Sequence, residues 1–272
     1  MQSDTLIKLH KTLLEILDYV VDICEENNIT YFLIYGTALG AYRHKEFIPW
    51  DDDLDIAIPR DDYNKFIHIL ESYDNHNFSI QYEANEKKYY HPFAKVRKKG
   101  TVFIEDISQN MYENNGIYID IFPLDYIKEK DSLSQKIRSH TITYLKHILR
   151  YSAHQGAYKN KRNFWGHVFE HIICIPAYIL PKSILLNKLN KLCIGKCLKH
   201  DAKYIAQYYD RGFRNTMPID VFFPPRKISF CNKEYNAPNK IEEYLTTAYG
   251  TDYMELPPIE ERKTHQPIEI KF

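Results

Sequence analysis

The chain has 272 residues, of which 36 are basic and 36 acidic, so its formal charge is zero and nothing argues for broad nucleic-acid binding. That length suffices for one large domain or two small ones. Five cysteines, an odd number scattered at Cys24, Cys174, Cys193, Cys197 and Cys231, predict reduced thiols and a cytoplasmic protein. The first residues, Met1 to Thr5, lack a basic region followed by an apolar core, so no signal peptide is expected.

Leu6, Leu9, Leu13, Leu17, Val20 and Cys24 recur at steps of three and four, which predicts an amphipathic helix from about Asp4 to Asn27. Tyr31 to Tyr35 is an apolar, aromatic run that reads as a buried strand ending in Gly36-Thr37. Thr37 to Tyr42 then reads as a helix with Thr37 able to cap it. A glycine and a small hydroxyl residue at such a junction let backbone N–H groups approach a phosphate, and Arg43 and His44 add positive charge beyond it. A Gly-Thr turn alone is weak evidence, and it gains weight from the acidic strand close behind it in the chain.

Asp51-Asp52-Asp53-Leu54-Asp55-Ile56 lies between Ile48-Pro49-Trp50 and Ala57-Ile58-Pro59. Carboxylates this close repel one another, and an apolar surround screens the repulsion poorly, so a cation belongs there. On a strand, Asp53 and Asp55 share one face while Leu54 and Ile56 anchor the other. Two oxygen donors side by side on rigid backbone form a platform for Mg²⁺ or Mn²⁺. The plainer alternative, an acidic surface turn, does not account for the apolar residues interleaved on both sides.

Pro59-Arg60-Asp61-Asp62 starts a further helix with Tyr63, Phe66, Ile67 and Leu70 inward, and strands are predicted at Phe78 to Tyr82, His91 to Arg97 and Thr101 to Ile104. In Gly116 to Phe122, Ile117, Ile119 and Ile121 take one face, and Tyr118, Asp120 and Phe122 the other. An Asp in so apolar a strand is costly unless it is metal-bound or paired. Asp120 is therefore taken as the third ligand of the platform, with a pairing to Lys95 or Arg97 as the alternative set second.

From Asp131 to about Tyr209 the pattern turns helical, interrupted near Pro176 and Pro181. Ile172 to Leu180 is apolar but too short to span a bilayer. Phe164, Trp165, Val168, Phe169, Ile172 and Ile173, near Lys159, Lys161 and Arg162, suit either a membrane interface or ordinary core packing, the latter being the default. Cys193, Cys197 and His200 have helical spacing for a metal, but no fourth ligand is evident, and a helix face is the simpler account. Short strands are predicted around Val221 to Phe223 and Arg226 to Cys231, then a helix from Lys240 to Tyr249 ending at Gly250.

Three stretches carry a family likeness. Tyr35-Gly36-Thr37, Asp53-Leu54-Asp55-Ile56 and Ile119-Asp120-Ile121 resemble, in order and approximate spacing, the three motifs of the nucleotidyltransferase fold. The fuller runs Gly36 to His44, Phe47 to Ile56 and Ile119 to Asp125 resemble the LicD family of phosphocholine transferases. Tyr244-Leu245, Tyr249-Gly250, Tyr253-Met254, Pro257-Pro258, Glu260, Arg262 and His265 resemble that family's closing motif. The likeness implies an α+β fold with a mixed sheet flanked by helices. Its parts would be a catalytic core over 1–130, a helical region over 131–215, and a segment over 216–272 completing the site, together one compact unit.

The resemblance further implies that phosphocholine passes from CDP-choline, or a related CDP-linked donor, to a hydroxyl of a cell-surface glycan of teichoic acid or lipopolysaccharide type, with CMP leaving. Because such glycans are built on lipid carriers, it also implies peripheral contact with the inner face of the membrane. Asp53 and Asp55 would hold Mg²⁺ against the diphosphate, and Asp120 would join a second ion or act as general base. Arg43, His44, Lys95, Arg97, Arg262 and His265 are candidates for phosphate oxygens, and Trp50, Tyr42 or Tyr118 for the quaternary ammonium. Asp51, Asp52 and Asp125 are candidates to orient the ligands. Two alternatives stand beside this: transfer of a nucleoside monophosphate to a small hydroxyl compound, and a non-catalytic glycan- or metal-binding module.

Overall fold

The computed structural model describes residues 3–73, 75–86, 88–105, 112–153, 170–208, 216–262, 264–265 and 267–272. The leucine periodicity produces helix α1 (Ser3–Glu26), whose Leu9, Leu13, Leu17, Val20 and Cys24 are buried. Strands β1 (Phe32–Leu33), β2 (Asp55–Pro59), β3 (Phe78–Gln81), β4 (Ala94–Lys98) and β6 (Tyr118–Ile127) form a sheet in the order β1-β2-β6-β4-β3. Within it only β2 and β6 run parallel; the other neighbours are antiparallel. That mixed sheet, flanked by helices, is the α+β architecture expected. Helix α1 packs on β4 and β6, and helices α2 (Tyr35–Arg43) and α3 (Arg60–Ser72) pack on β2.

Strand β6 is ten residues long, and the second half outruns its first partners. Asp125, Tyr126 and Ile127 pair antiparallel with β7 (Tyr204–Ala206), which in turn pairs with β8 (Thr216–Pro218). The expectation of helix through to Tyr209 is corrected here: Tyr204-Ile205-Ala206 is a short apolar run, which periodicity cannot assign, and the free edge of β6 decides it. Before it come α4 (Leu133–Ala153), α5 (Ile175–Ile179) and α6 (Lys182–Ile194), with α5 and α6 both packed on α4. Pro176 lies in the first turn of α5 and Pro181 just before α6, so each proline opens a helix, where its missing N–H costs nothing.

Of the apolar run near α5, only Cys174 and Ala177 are buried, and Ile175, Ile179 and Leu180 are exposed; of the residues assigned to core packing by default, Ile172 is exposed, contrary to it, and Ile173 is half-buried. Phe164, Trp165, Val168, Phe169, Lys159, Lys161 and Arg162 lie outside the described residues. No helix among the described residues is long and apolar enough to cross a membrane.

Val221 and Phe222 belong to a short helix, α7 (Ile219–Phe222), rather than a strand. Both are fully buried, and a short buried run has no periodicity to separate the two. A hairpin of β9 (Arg226–Phe230) and β10 (Lys233–Ala237) and helix α8 (Ile241–Tyr249) come next, with β9 and α8 against α2 and β10 against β1. The last strand, β11 (Glu269–Lys271), pairs with β5 (Val102–Ile104), drawing the preceding C-terminal segment across the carboxylates.

Candidate active site

The carboxylates are placed by close packing against α2. Thr37 does not cap this helix: it begins at Tyr35, and the buried Thr37 hydroxyl instead accepts the Asp55 N–H at 2.8 Å. The expected approach of a phosphate to Gly36 meets a carboxylate, since a Cβ there would lie 2.5 Å from Asp51 Oδ2. One helical turn on, a Cβ at Gly40 would lie 2.7 Å from the Glu46 carbonyl oxygen. The two glycines therefore let the chain from Glu46 to Asp51 fold back onto α2, which sets Asp51 beside the helix start. Tyr35 enters α2 at a φ of 46°, a strained value for a side chain of its size, and donates its N–H to the Tyr244 hydroxyl at 3.0 Å.

Strand β2 starts only at Asp55, so Asp53 precedes the paired backbone instead of sharing it. Across three neighbouring strands the register aligns Asp55 with Asp120 and Asp120 with Lys95. Lys95 Nζ lies 2.6 Å from Asp120 Oδ1 and 3.5 Å from the centre of the Tyr118 ring. Asp120 thus has the lysine partner that the sequence argument set second.

Burial pushes the Asp51 carboxyl up to about 8, reinforced by the Asp53 and Asp52 charges and a hydrogen bond with Asp53. Asp53 is also raised, by burial first, with His265 opposing and Asp120 adding to the rise. Asp55 lies well above the usual carboxylate range, through burial and the charges of Asp53 and Asp120. Burial pulls the Lys95 ammonium down, against the favourable charge of Asp120.

The C-terminal segment closes over these groups. His265 donates its backbone N–H to Asp52 at 2.9 Å, and its Nδ1 lies 3.0 Å from Asp52 Oδ1 and 3.8 Å from Asp53 Oδ2. Burial lowers the imidazole, but the Asp52 hydrogen bond and the Asp53 and Glu105 charges outweigh it and hold its pKa at about 9. Arg262 stacks over Trp50 at 4.2 Å and donates to the Pro257 carbonyl. Arg43 donates to the carbonyls of Tyr253 and Glu255, and its Nε to His44 Nε2. Two of the phosphate candidates, Arg43 and Arg262, thus fasten this segment, with His44 accepting from Arg43.

The aromatic candidates are engaged as well. Tyr42 donates its hydroxyl to Glu242, Trp50 carries Arg262, and Tyr118 holds both Lys95 and the Arg97 guanidinium, the latter 4.5 Å from the ring centre. Asp125 departs most from expectation: fully buried, it pairs bidentately with Arg60 at 2.7 and 3.0 Å and orients no ligand. Glu105, which sequence reasoning passed over, accepts the Tyr118 hydroxyl and lies 3.8 Å from His265 Nε2. Its one sequence signal is that it directly follows the β5 strand. A cavity of about 470 Å³ opens beside Asp120, lined by Lys95, Arg97, Glu105, Tyr112, Arg150 and His265 among others.

The donor set suits a hard divalent cation, because it is all carboxylate oxygen and Asp51, Asp53 and Asp55 are raised, by burial first and then by neighbouring carboxylate charge. Asp53 and Asp55 are the pair that would hold such an ion. Among the described residues no three His, Cys, Asp or Glu side chains stand ready around one point, Lys95 being seated on Asp120. The Cys193, Cys197 and His200 grouping likewise forms no metal site: Cys193 is buried in α6 and His200 faces Asp201.

Residues 28–153 match the family model described as LicD/FKTN/FKRP, nucleotidyltransferase domain. The chain is 28% identical over 281 residues to the lipopolysaccharide cholinephosphotransferase LicD of Haemophilus influenzae, covering 97% of both chains. It is 42% identical over 118 residues to the ribitol 5-phosphate transferase FKRP of Mus musculus, covering 42% of this chain and 20% of that one. Residues 28–153 are therefore a LicD-family nucleotidyltransferase domain, as the motifs within them led one to expect.

Proposed function

We propose that the chain is a metal-dependent transferase moving phosphocholine from CDP-choline to a glycan hydroxyl. The observation that carries this reading is the alignment of Asp55 with Asp120 on adjacent parallel strands, with Asp53 just before them. The end-to-end similarity to a cholinephosphotransferase supplies the substrate class. Mg²⁺ or Mn²⁺ on Asp53 and Asp55 would neutralise charge on the donor diphosphate. Lys95 holds one oxygen of Asp120, fixing that carboxylate to receive the proton of the attacking hydroxyl. The acceptor oxygen bonds to the phosphocholine phosphorus as the bond to the bridging oxygen breaks, and CMP carries that oxygen away. Asp52 anchors His265, which shields the carboxylates from bulk water.

Isotope partition tests the direction of transfer. With CDP-choline and a cell-derived glycan, label in the choline methyls should appear on the glycan and label in cytosine only in CMP. Cytosine label on the glycan would overturn the reading in favour of nucleotidyl transfer. Transfer from a CDP-ribitol donor alone would keep the reaction class and replace choline by a polyol.

A further inference from the structure

The cavity beside Asp120 contains a charge that no carboxylate among the described residues neutralises by contact. Arg97 is only 3% exposed, and its hydrogen bonds go to neutral acceptors: Nε to Gln81 Oε1 at 2.7 Å and Nη1 to the Gly116 carbonyl at 2.5 Å. Its neighbour Lys95 has Asp120 as counter-ion, whereas Arg97 has no ion pair among the described residues. A buried guanidinium without a carboxylate leaves a large desolvation cost uncompensated. On the same cavity, Tyr112 is 8% exposed and its buried hydroxyl has no hydrogen-bond partner among the described residues. Buried hydroxyls are rarely left so, and each that is asks for an explanation.

One ligand chemistry answers both. A phosphate-type oxyanion accepts from a guanidinium in the planar geometry that arginine favours, and it accepts from a phenol O–H as well. Arg150 lines the same cavity and adds positive charge at an exposed position. We infer that this cavity is a subsite for a phosphate-type anionic group of a substrate, with Arg97 and Tyr112 as its ligands, distinct from the Asp53/Asp55 platform. The inference deepens the transferase reading. Two substrate parts have this chemistry: the nucleoside phosphate of a CDP-linked donor, and a phosphate borne by the acceptor glycan.

Arg97 also ties β4 to the Gly116 backbone, so its loss can weaken the fold on structural grounds alone, and Tyr112→Phe is the cleaner variant. Removing an unpartnered hydroxyl should leave the melting temperature of the free protein unchanged or slightly higher. It should also move the midpoint of an inorganic phosphate titration, followed by thermal shift in metal-free buffer, upward about tenfold. Arg97→Gln should move it further. Phosphate that does not bind, or that binds the wild-type and Tyr112→Phe chains alike, overturns the subsite. The titration needs no turnover, so it stands or falls apart from the transferase reading. In steady-state assays the same variant should raise KM for the CDP-linked donor if the donor phosphate sits there, or for the acceptor if its phosphate does. An unchanged KM for both overturns the assignment.

Discussion

Strand β6 carries two aspartates five residues apart, Asp120 and Asp125, and their surroundings differ in kind. Asp125 is wholly buried, and both its oxygens are met by the Arg60 guanidinium, so charge and hydrogen bonding close on themselves. Asp120 is half-buried and gripped through one oxygen by Lys95, and it stands in register with Asp55 beside further carboxylates that the local cations do not balance. A buried acid with a complete partner holds a fold together. An acid among surplus acids marks a place where something from outside supplies the balance.

The contrast breaks first at the closed pair. Arg60→Met should cost about 3–5 kcal/mol in equilibrium urea unfolding, because Asp125 would be left charged and unpartnered in the core. A cost below about 1 kcal/mol would mean that Asp125 is not held by charge. At the open site the effect should reverse. Asp53→Asn or Asp55→Asn should lower turnover about 10²–10³-fold while raising the melting temperature of the metal-free protein, since each removes a repelling charge. Destabilisation by either variant would place those acids with Asp125 as structural groups.

A smaller effect sharpens how the open site is built. Thr37→Val should cost about 1–3 kcal/mol, because the buried Asp55 N–H loses its acceptor, and Thr37→Ser should restore most of it. A graded effect of pH is expected. Asp51 is raised from its ordinary 3.8 to about 8, and His265 from 6.5 to about 9. Both folded-state values lie above the unfolded ones, so the stabilisation is complete below the ordinary value and lost as pH rises through the folded one. The metal-free protein should therefore lose these contributions progressively from about pH 4 to pH 9, Asp51 first and His265 joining above about pH 6.5, and Asp51→Asn with His265→Gln should flatten the slope of melting temperature against pH. A slope of opposite sign would contradict the geometry of that cluster.

Much of the fold and the site was legible in the amino-acid sequence. Leucine periodicity placed α1, the alternation around Asp120 placed the first half of β6, and the acid run announced a site because carboxylates at that density cannot be neutral bystanders. Partner choice was not legible. Asp51, Asp120 and Asp125 look alike in the chain, and what separates them is whether Gly36, Lys95 or Arg60 arrives beside each, which sheet register decides for Lys95 and helix packing for Gly36 and Arg60. Arg43, Arg262 and Trp50 look like substrate residues for the same reason that they serve as fasteners: half-buried cations and aromatics suit a phosphate, a choline or the chain's own C-terminal segment equally well. The strand Tyr204–Ala206 and the helix Ile219–Phe222 were too short to show a period.

The central claim is that the surplus of carboxylates at Asp53 and Asp55 exists to take up a cation. Its most direct test is the change in melting temperature on adding Mg²⁺ or Mn²⁺ to the wild type, to Asp53→Asn with Asp55→Asn, and to Arg60→Met. The metal should stabilise the wild type and Arg60→Met by the same increment, from their different starting points, and should leave the double variant unmoved. A metal-induced shift that survives in the double variant would contradict the account.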